Sequence, residues 1–218
     1  MSATRLGANP IAIRRFDVIG EDGTGEDVIR HVGLAAEASD GIHANTMVLV
    51  HHMGPPLARD GEMHAHVRGQ LELTDDEQNQ IKVFVDEHAP EGQAEERTGA
   101  LRRYVVRPHA DWLREEDGTP VCRRFSCAGF VIEAYAEADL PLVVTDEGSL
   151  PPVSRDALTP IYPQLRDHPA VARKVGLGGD GPWPVVMPGY IFHSLARDED
   201  TIRREPHTPV AGNEKFPR

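Results

Sequence analysis

The chain reads as an α+β fold in which an antiparallel sheet packs against an amphipathic helix. Three observations carry that reading. Ile42 to Val50 is a run rich in β-branched residues, and Met63 to Leu73 reads as a second strand, so the two form a hairpin around Gly54-Pro55-Pro56. Thr74 and Glu77 make a capping box, and the residues after them set Ile81, Phe84, Val85 and His88 on one helical face before Pro90. Behind Ser126, the residues Cys127, Phe130, Val131, Ala134, Tyr135 and Ala138 recur at helical spacing until Pro141 stops the pattern.

The remaining segments fall between these. Residues 1–16 are irregular, and Phe16 to Ile19 is strand-like. Gly20 to Gly25 is a glycine-rich loop. It looks like the opening loop of isocitrate-type dehydrogenases, but the chain has no room for that family's nucleotide and metal segments, which leaves a turn between short elements. Leu101 to Val106 is a strand candidate ended by Pro108, and Pro169 to Val175 a short helix. Met187 to His193 turns into an apolar element. The whole chain, 1–218, is expected to be a single domain with a core over about 16–195. Loop insertions are expected near 91–120 and 146–188, and a flexible charged tail over 197–218.

Composition narrows the function classes. The 218 residues include 23 Lys+Arg and 35 Asp+Glu, a formal net charge of −12, which weighs against sequence-independent nucleic-acid binding. No apolar run is long enough to span a membrane, and Met1 to Pro10 has no apolar signal core. Two cysteines, Cys122 and Cys127, exclude a disulfide framework and fit reduced thiols in a cytoplasmic setting.

Cys127 is the residue with chemistry in it. Ser126 can cap the helix, which makes Cys127 its first residue. Unpaired N–H groups and the macrodipole favour an anion there, so a lowered thiol pKa and a nucleophilic sulfur are expected. The same N–H groups can hold an oxyanion, and Arg123 and Arg124 add positive potential. Against this stands a buried small hydrophobe at the head of an apolar stripe. Cys122 has no such placement and reads as structural.

The segment Phe125-Ser126-Cys127-Ala128-Gly129-Phe130-Val131-Ile132-Glu133-Ala134-Tyr135 resembles the nucleophile helix of the NlpC/P60 cysteine peptidases. His43 opens a strand 84 residues before Cys127, an order that matches the circularly permuted branch of YiiX-like proteins and lecithin–retinol acyltransferase relatives. Gly25-Glu26-Asp27-Val28-Ile29 resembles that branch's opening element, and Pro184 through Leu195 its closing segment. The resemblance covers about residues 25–195. It implies a papain-like fold in permuted order. It also implies His43 as general base and a thioester acyl-enzyme formed on Cys127.

The third catalytic member should orient the imidazole. With a hairpin turning at Gly54-Pro55, position 43 faces about position 66, so His66 is expected, with His64 or Glu72 as alternatives. His51 and His52 read as loop-side surface residues. His51, His52, His64 and His66 do not follow a standard zinc spacing, so no metal and no cofactor is expected. Tyr104 and Trp112 either line the cleft or pack in the core. The implied substrate is a peptide or small amide, with no nucleic acid and no membrane span. A lipid or thioester acyltransferase, or a non-catalytic binding module of the same fold, are the alternatives.

Overall fold

A computed structural model describes residues 3–22, 27–53, 57–88, 103–162 and 164–218. Strands β1 (Ala3–Arg5), β2 (Ile11–Ile13), β3 (Val18–Asp22), β4 (Ile29–Ala35), β5 (Ser39–Ile42), β6 (Thr46–Met53), β7 (Leu57–Ala65) and β8 (Val67–Gly69) come first. Helix α1 (Asp75–His88) follows. The hairpin of β9 (Ala110–Arg114) and β10 (Pro120–Phe125) leads into α2 (Cys127–Glu137). The rest comprises β11 (Pro152–Val153), α3 (Arg155–Leu158), α4 (Gln164–Asp167), α5 (Pro169–Lys174), β12 (Trp183–Pro184), α6 (Pro188–Leu195) and α7 (Glu199–Arg204).

Six strands form one antiparallel sheet in the order β1-β8-β3-β4-β6-β7. Strand periodicity divides its side chains between two faces. Val18, Val32 and Leu34 join the larger buried cluster with Phe130, Val131 and Tyr135 of α2 and Phe192 of α6. Ile19, Ala35, Val50 and Met63 join a second cluster closed by Ile13 of β2 and Ile42 of β5. Each such fully buried Val, Leu, Ile or Phe contributes about 1.5–3 kcal/mol of transfer free energy, so the sheet–helix contact dominates stability. The chain is therefore α+β with an antiparallel sheet and several helices, and α2 lies against β4, β6 and α1.

Both long helices start as the sequence dictates. The Thr74 N–H donates to Glu77 Oε2 at 2.7 Å and the Glu77 N–H to Thr74 Oγ1 at 3.3 Å, the reciprocal capping box. The innermost pair of the hairpin, Met53↔Leu57, flanks the expected turn position, and it is the strand ends and the register that differ from expectation. Asn45 adopts φ 63°, and the Thr46 N–H donates to the His43 carbonyl, so a turn removes His43 and Ala44 from the strand and β6 runs on to Met53. Gly54-Pro55-Pro56 lies outside the described residues.

Three further segments differ from expectation. Tyr104 makes only an isolated bridge to Phe125, and Leu101 and Arg102 lie outside the described residues. The second half of the insertion near 91–120 carries β9 and the start of β10, its first half being outside the described residues. The segment 197–218 carries a capped helix rather than only loose chain. Asp198 caps α7, Ile202 is fully buried, and Val143↔His207 and Val28↔Lys215 bridges tie the terminus down. Among the described residues no helix is long and apolar enough to cross a membrane.

Candidate active site

Phe125 ends β10, Ser126 is extended, and Cys127 is the first residue of α2. The Ser126 hydroxyl accepts from the Gly129 N–H at 2.9 Å, and the Ser126 N–H donates to the His109 carbonyl at 2.9 Å. Gly129 is required by this junction, because a Cβ there would fall on the His109 carbonyl oxygen. Cys127 is 2% exposed. The backbone N–H groups of Ala128, Val32 and Cys127 itself lie near enough to its sulfur to favour the thiolate, and the buried rings of Tyr104 and Tyr162 stand close enough to interact with it.

The Val32 N–H is free for sulfur because of strand geometry. β4 pairs with β6 through Leu34↔His51 and Ala35↔Val50, and the Ala36 N–H donates to the Leu49 carbonyl at 2.9 Å. Alternate N–H groups of a strand point to the same neighbour, so those of Ala36, Leu34 and Val32 all point toward β6. The β4–β6 ladder ends at the Leu34–His51 pair, and beyond it the Val32 N–H lies near the Cys127 sulfur.

Burial pushes the Cys127 thiol up to about 11, against the pull of the three N–H groups. This reverses the lowered value expected from the helix start. A helix terminus stabilises an anion by about 0.3–1 kcal/mol, rarely near 2, whereas full desolvation can shift a group by several pKa units. Desolvation wins, and the proton rests on sulfur.

His31 precedes Val32 on β4 and so faces the opposite side of the sheet from Cys127, the side of Ile19 and Val50. Its Nε2 lies 2.6 Å from Nδ1 of His52, with the rings edge-on at 4.8 Å between centroids. Burial, reinforced by the neighbouring imidazole, lowers His31 to about 3; burial, reinforced by His51, lowers His52 to about 4. Both are neutral at pH 7, so one ring donates the shared hydrogen and the other accepts. Gly33 permits the approach: a Cβ there would stand 2.9 Å from the His52 Cβ and 3.0 Å from the His51 carbonyl oxygen.

The sequence-expected residues divide. Cys127 heads α2 as anticipated. His43 sits in the turn before β6, with Nδ1 2.8 Å from the Thr46 hydroxyl. His66 is held by Asp22 Oδ1 at 2.8 Å and Asn45 Oδ1 at 2.8 Å, so those bonds engage it away from the sulfur. His64 stacks on His66, and the Glu72 carboxylate is 3.5 Å from Arg14. His51 and His52 belong to β6, not to a loop, and His51 is 3% exposed. Tyr104 is buried beside the sulfur, whereas Trp112 is 46% exposed on β9. Among the described residues no group of three or more His, Cys, Asp or Glu is placed to hold a metal ion.

Sequence reasoning set His51 on a loop, whereas it pairs with Leu34 on the face that buries Cys127; the run Met47-Val48-Leu49-Val50 continuing into His51-His52-Met53 was the available signal. No family model, no curated protein and no solved structure matches this chain.

Proposed function

We propose that this chain is a cysteine-dependent hydrolase of the circularly permuted NlpC/P60 kind, cleaving an amide or peptide bond through a thioester on Cys127. The observation that carries the reading is Cys127 at the head of α2, buried against the sheet face that also carries Val32 and Leu34, with His51 of β6 paired opposite Leu34 on that face. His51 thus takes the role that the resemblance gave to His43. Reduced thiols go with a cytoplasmic setting.

The chemistry follows from these groups. An imidazole is a competent base, and His51 accepts the thiol proton as sulfur attacks the carbonyl carbon. The carbonyl oxygen becomes an oxyanion, and the N–H groups around Cys127 supply its donors. His51 returns the proton to the departing amine as the C–N bond breaks, leaving the thioester. Water, deprotonated by the same imidazole, then attacks the thioester and restores the thiol. The substrate must first displace the cover over a buried sulfur.

A second reading has its own observation. A thiol raised to about 11 and 2% exposed is what a non-catalytic module of the same architecture would keep in its core. One experiment separates the two. The protein is incubated with p-nitrophenyl acetate, and intact mass and peptide mapping locate any acetyl group. Acetylation of Cys127, abolished in Cys127→Ala and slowed in His51→Gln, supports the hydrolase. No acetyl group on Cys127, or equal rates in His51→Gln, removes it.

A further inference from the structure

Away from Cys127, a cavity of about 210 Å³ opens between α3, α5 and the loop that follows α5. Arg155, Arg173 and Asp180 bring two positive charges and one negative charge to its wall, and Ala172 and Leu177 supply an apolar side. The Arg155 Nε is buried and has no hydrogen-bond partner among the described residues. That Nε lies beneath the wall, so contact with an acceptor in the cavity falls to the terminal nitrogens of the guanidinium. Neither arginine takes part in an ion pair among the described residues, although a carboxylate shares the same wall.

The loop is built to stay open. Gly179 has φ 79° with nothing within 4 Å of a notional Cβ, so backbone reaches the cavity rim without a side chain. Trp183 braces the loop from behind: it is 3% exposed, and its indole N–H donates to the Gly178 carbonyl at 2.8 Å. The volume is below the roughly 300–1,000 Å³ of sites for drug-sized molecules, which points to a ligand of few heavy atoms.

We infer that this cavity binds the α-amino carboxylate group of a small amino acid. Its carboxylate meets Arg155 and Arg173, its ammonium meets Asp180, and a short side chain faces Ala172 and Leu177. A simple anion would satisfy the arginines but face Asp180 with like charge, whereas a zwitterion matches all three charges. The inference is independent of any reaction at Cys127.

Trp183 supplies the readout. The chain has two tryptophans, so Trp112→Phe leaves Trp183 as the sole indole. That variant is titrated with L-alanine, acetate and methylamine while indole fluorescence is followed. Saturable binding of alanine is expected, with acetate weaker by at least about tenfold. Arg155→Gln and Arg173→Gln should each weaken alanine at least about tenfold, and Asp180→Asn should weaken alanine while tightening acetate. Arg173 is exposed, so its variant keeps the test usable if Arg155→Gln fails to fold, as circular dichroism would show. Three results would each overturn the inference: no saturation by alanine, unchanged affinity in Arg173→Gln, or acetate matching alanine with and without Asp180.

Discussion

His31 Nε2 stands 2.6 Å from His52 Nδ1 where β4 and β6 separate, on the sheet face opposite the one that buries Cys127. A strand pair that stays zipped would use the Val32 N–H in its own ladder. Because the ladder ends at Leu34–His51, the Val32 N–H is left near the Cys127 sulfur on one side, and the two imidazoles meet on the other. Burial keeps all three side chains neutral: the thiol rises to about 11, and the imidazoles fall to about 3 and about 4.

The histidine pair should make the fold acid-labile. An unfolded His titrates near 6.5, and here the folded values lie well below that. Between the two, the unfolded chain binds more protons. The stability is complete above about pH 6.5 and is lost as pH falls toward 4. One such histidine removes about 2 kcal/mol by about pH 4.5. Urea unfolding at neutral pH and at about pH 4.5 measures this, and His52→Gln should shrink the difference by roughly one histidine's share. An unchanged difference would show that His52 does not titrate on unfolding.

Alkylation should single out the two cysteines in an order opposite to that expected of a thiolate. Cys122 is partly exposed, whereas Cys127 is buried with a thiol at about 11. Iodoacetamide near neutral pH should label Cys122 first. The Cys127 rate should climb about tenfold per pH unit up to about 11, as the thiolate fraction grows. Peptide mass spectrometry across a pH series reads both rates. Fast Cys127 labelling at pH 7 would mean that the sulfur is less buried or better stabilised than its surroundings indicate.

Much of this was legible beforehand, for identifiable reasons. Helix α2 was visible because its cap and apolar stripe are local, and α1 because Thr74 and Glu77 bond within one turn. The alternation of apolar residues also announced a sheet. Its register was not legible, because the irregularity between Val50 and His52 shifts the pairing and the turn at Asn45 ends β6 before His43. The helix Glu199–Arg204 was hidden by its charge, since Ile202 alone anchors it in the core.

Of the candidate site, the place of Cys127 at the helix start was legible. Its position on the helix could be read from Ser126, but its pKa is set by what covers it, including Tyr104 and Tyr162, which lie far away in sequence. The choice among histidines depended on which strands pair. His31 meets His52 only because β4 and β6 are neighbours, and position in the chain does not announce that.

The junction before Cys127 yields the sharpest stability contrast. Ser126 is buried, and its hydroxyl holds the Gly129 N–H. Ser126→Ala should cost about 1 kcal/mol, the usual value of a lost cap. Gly129→Ala should cost several times more, although alanine is the better helix former. Its Cβ would land on the His109 carbonyl, a backbone atom already held by the Ser126 N–H, so neither side can yield cheaply. In thermal melts of the two variants, Gly129→Ala should therefore lose far more than Ser126→Ala. Equal losses would mean that the β9–β10 hairpin is free to move away from α2, and that the start of the helix is not clamped to it.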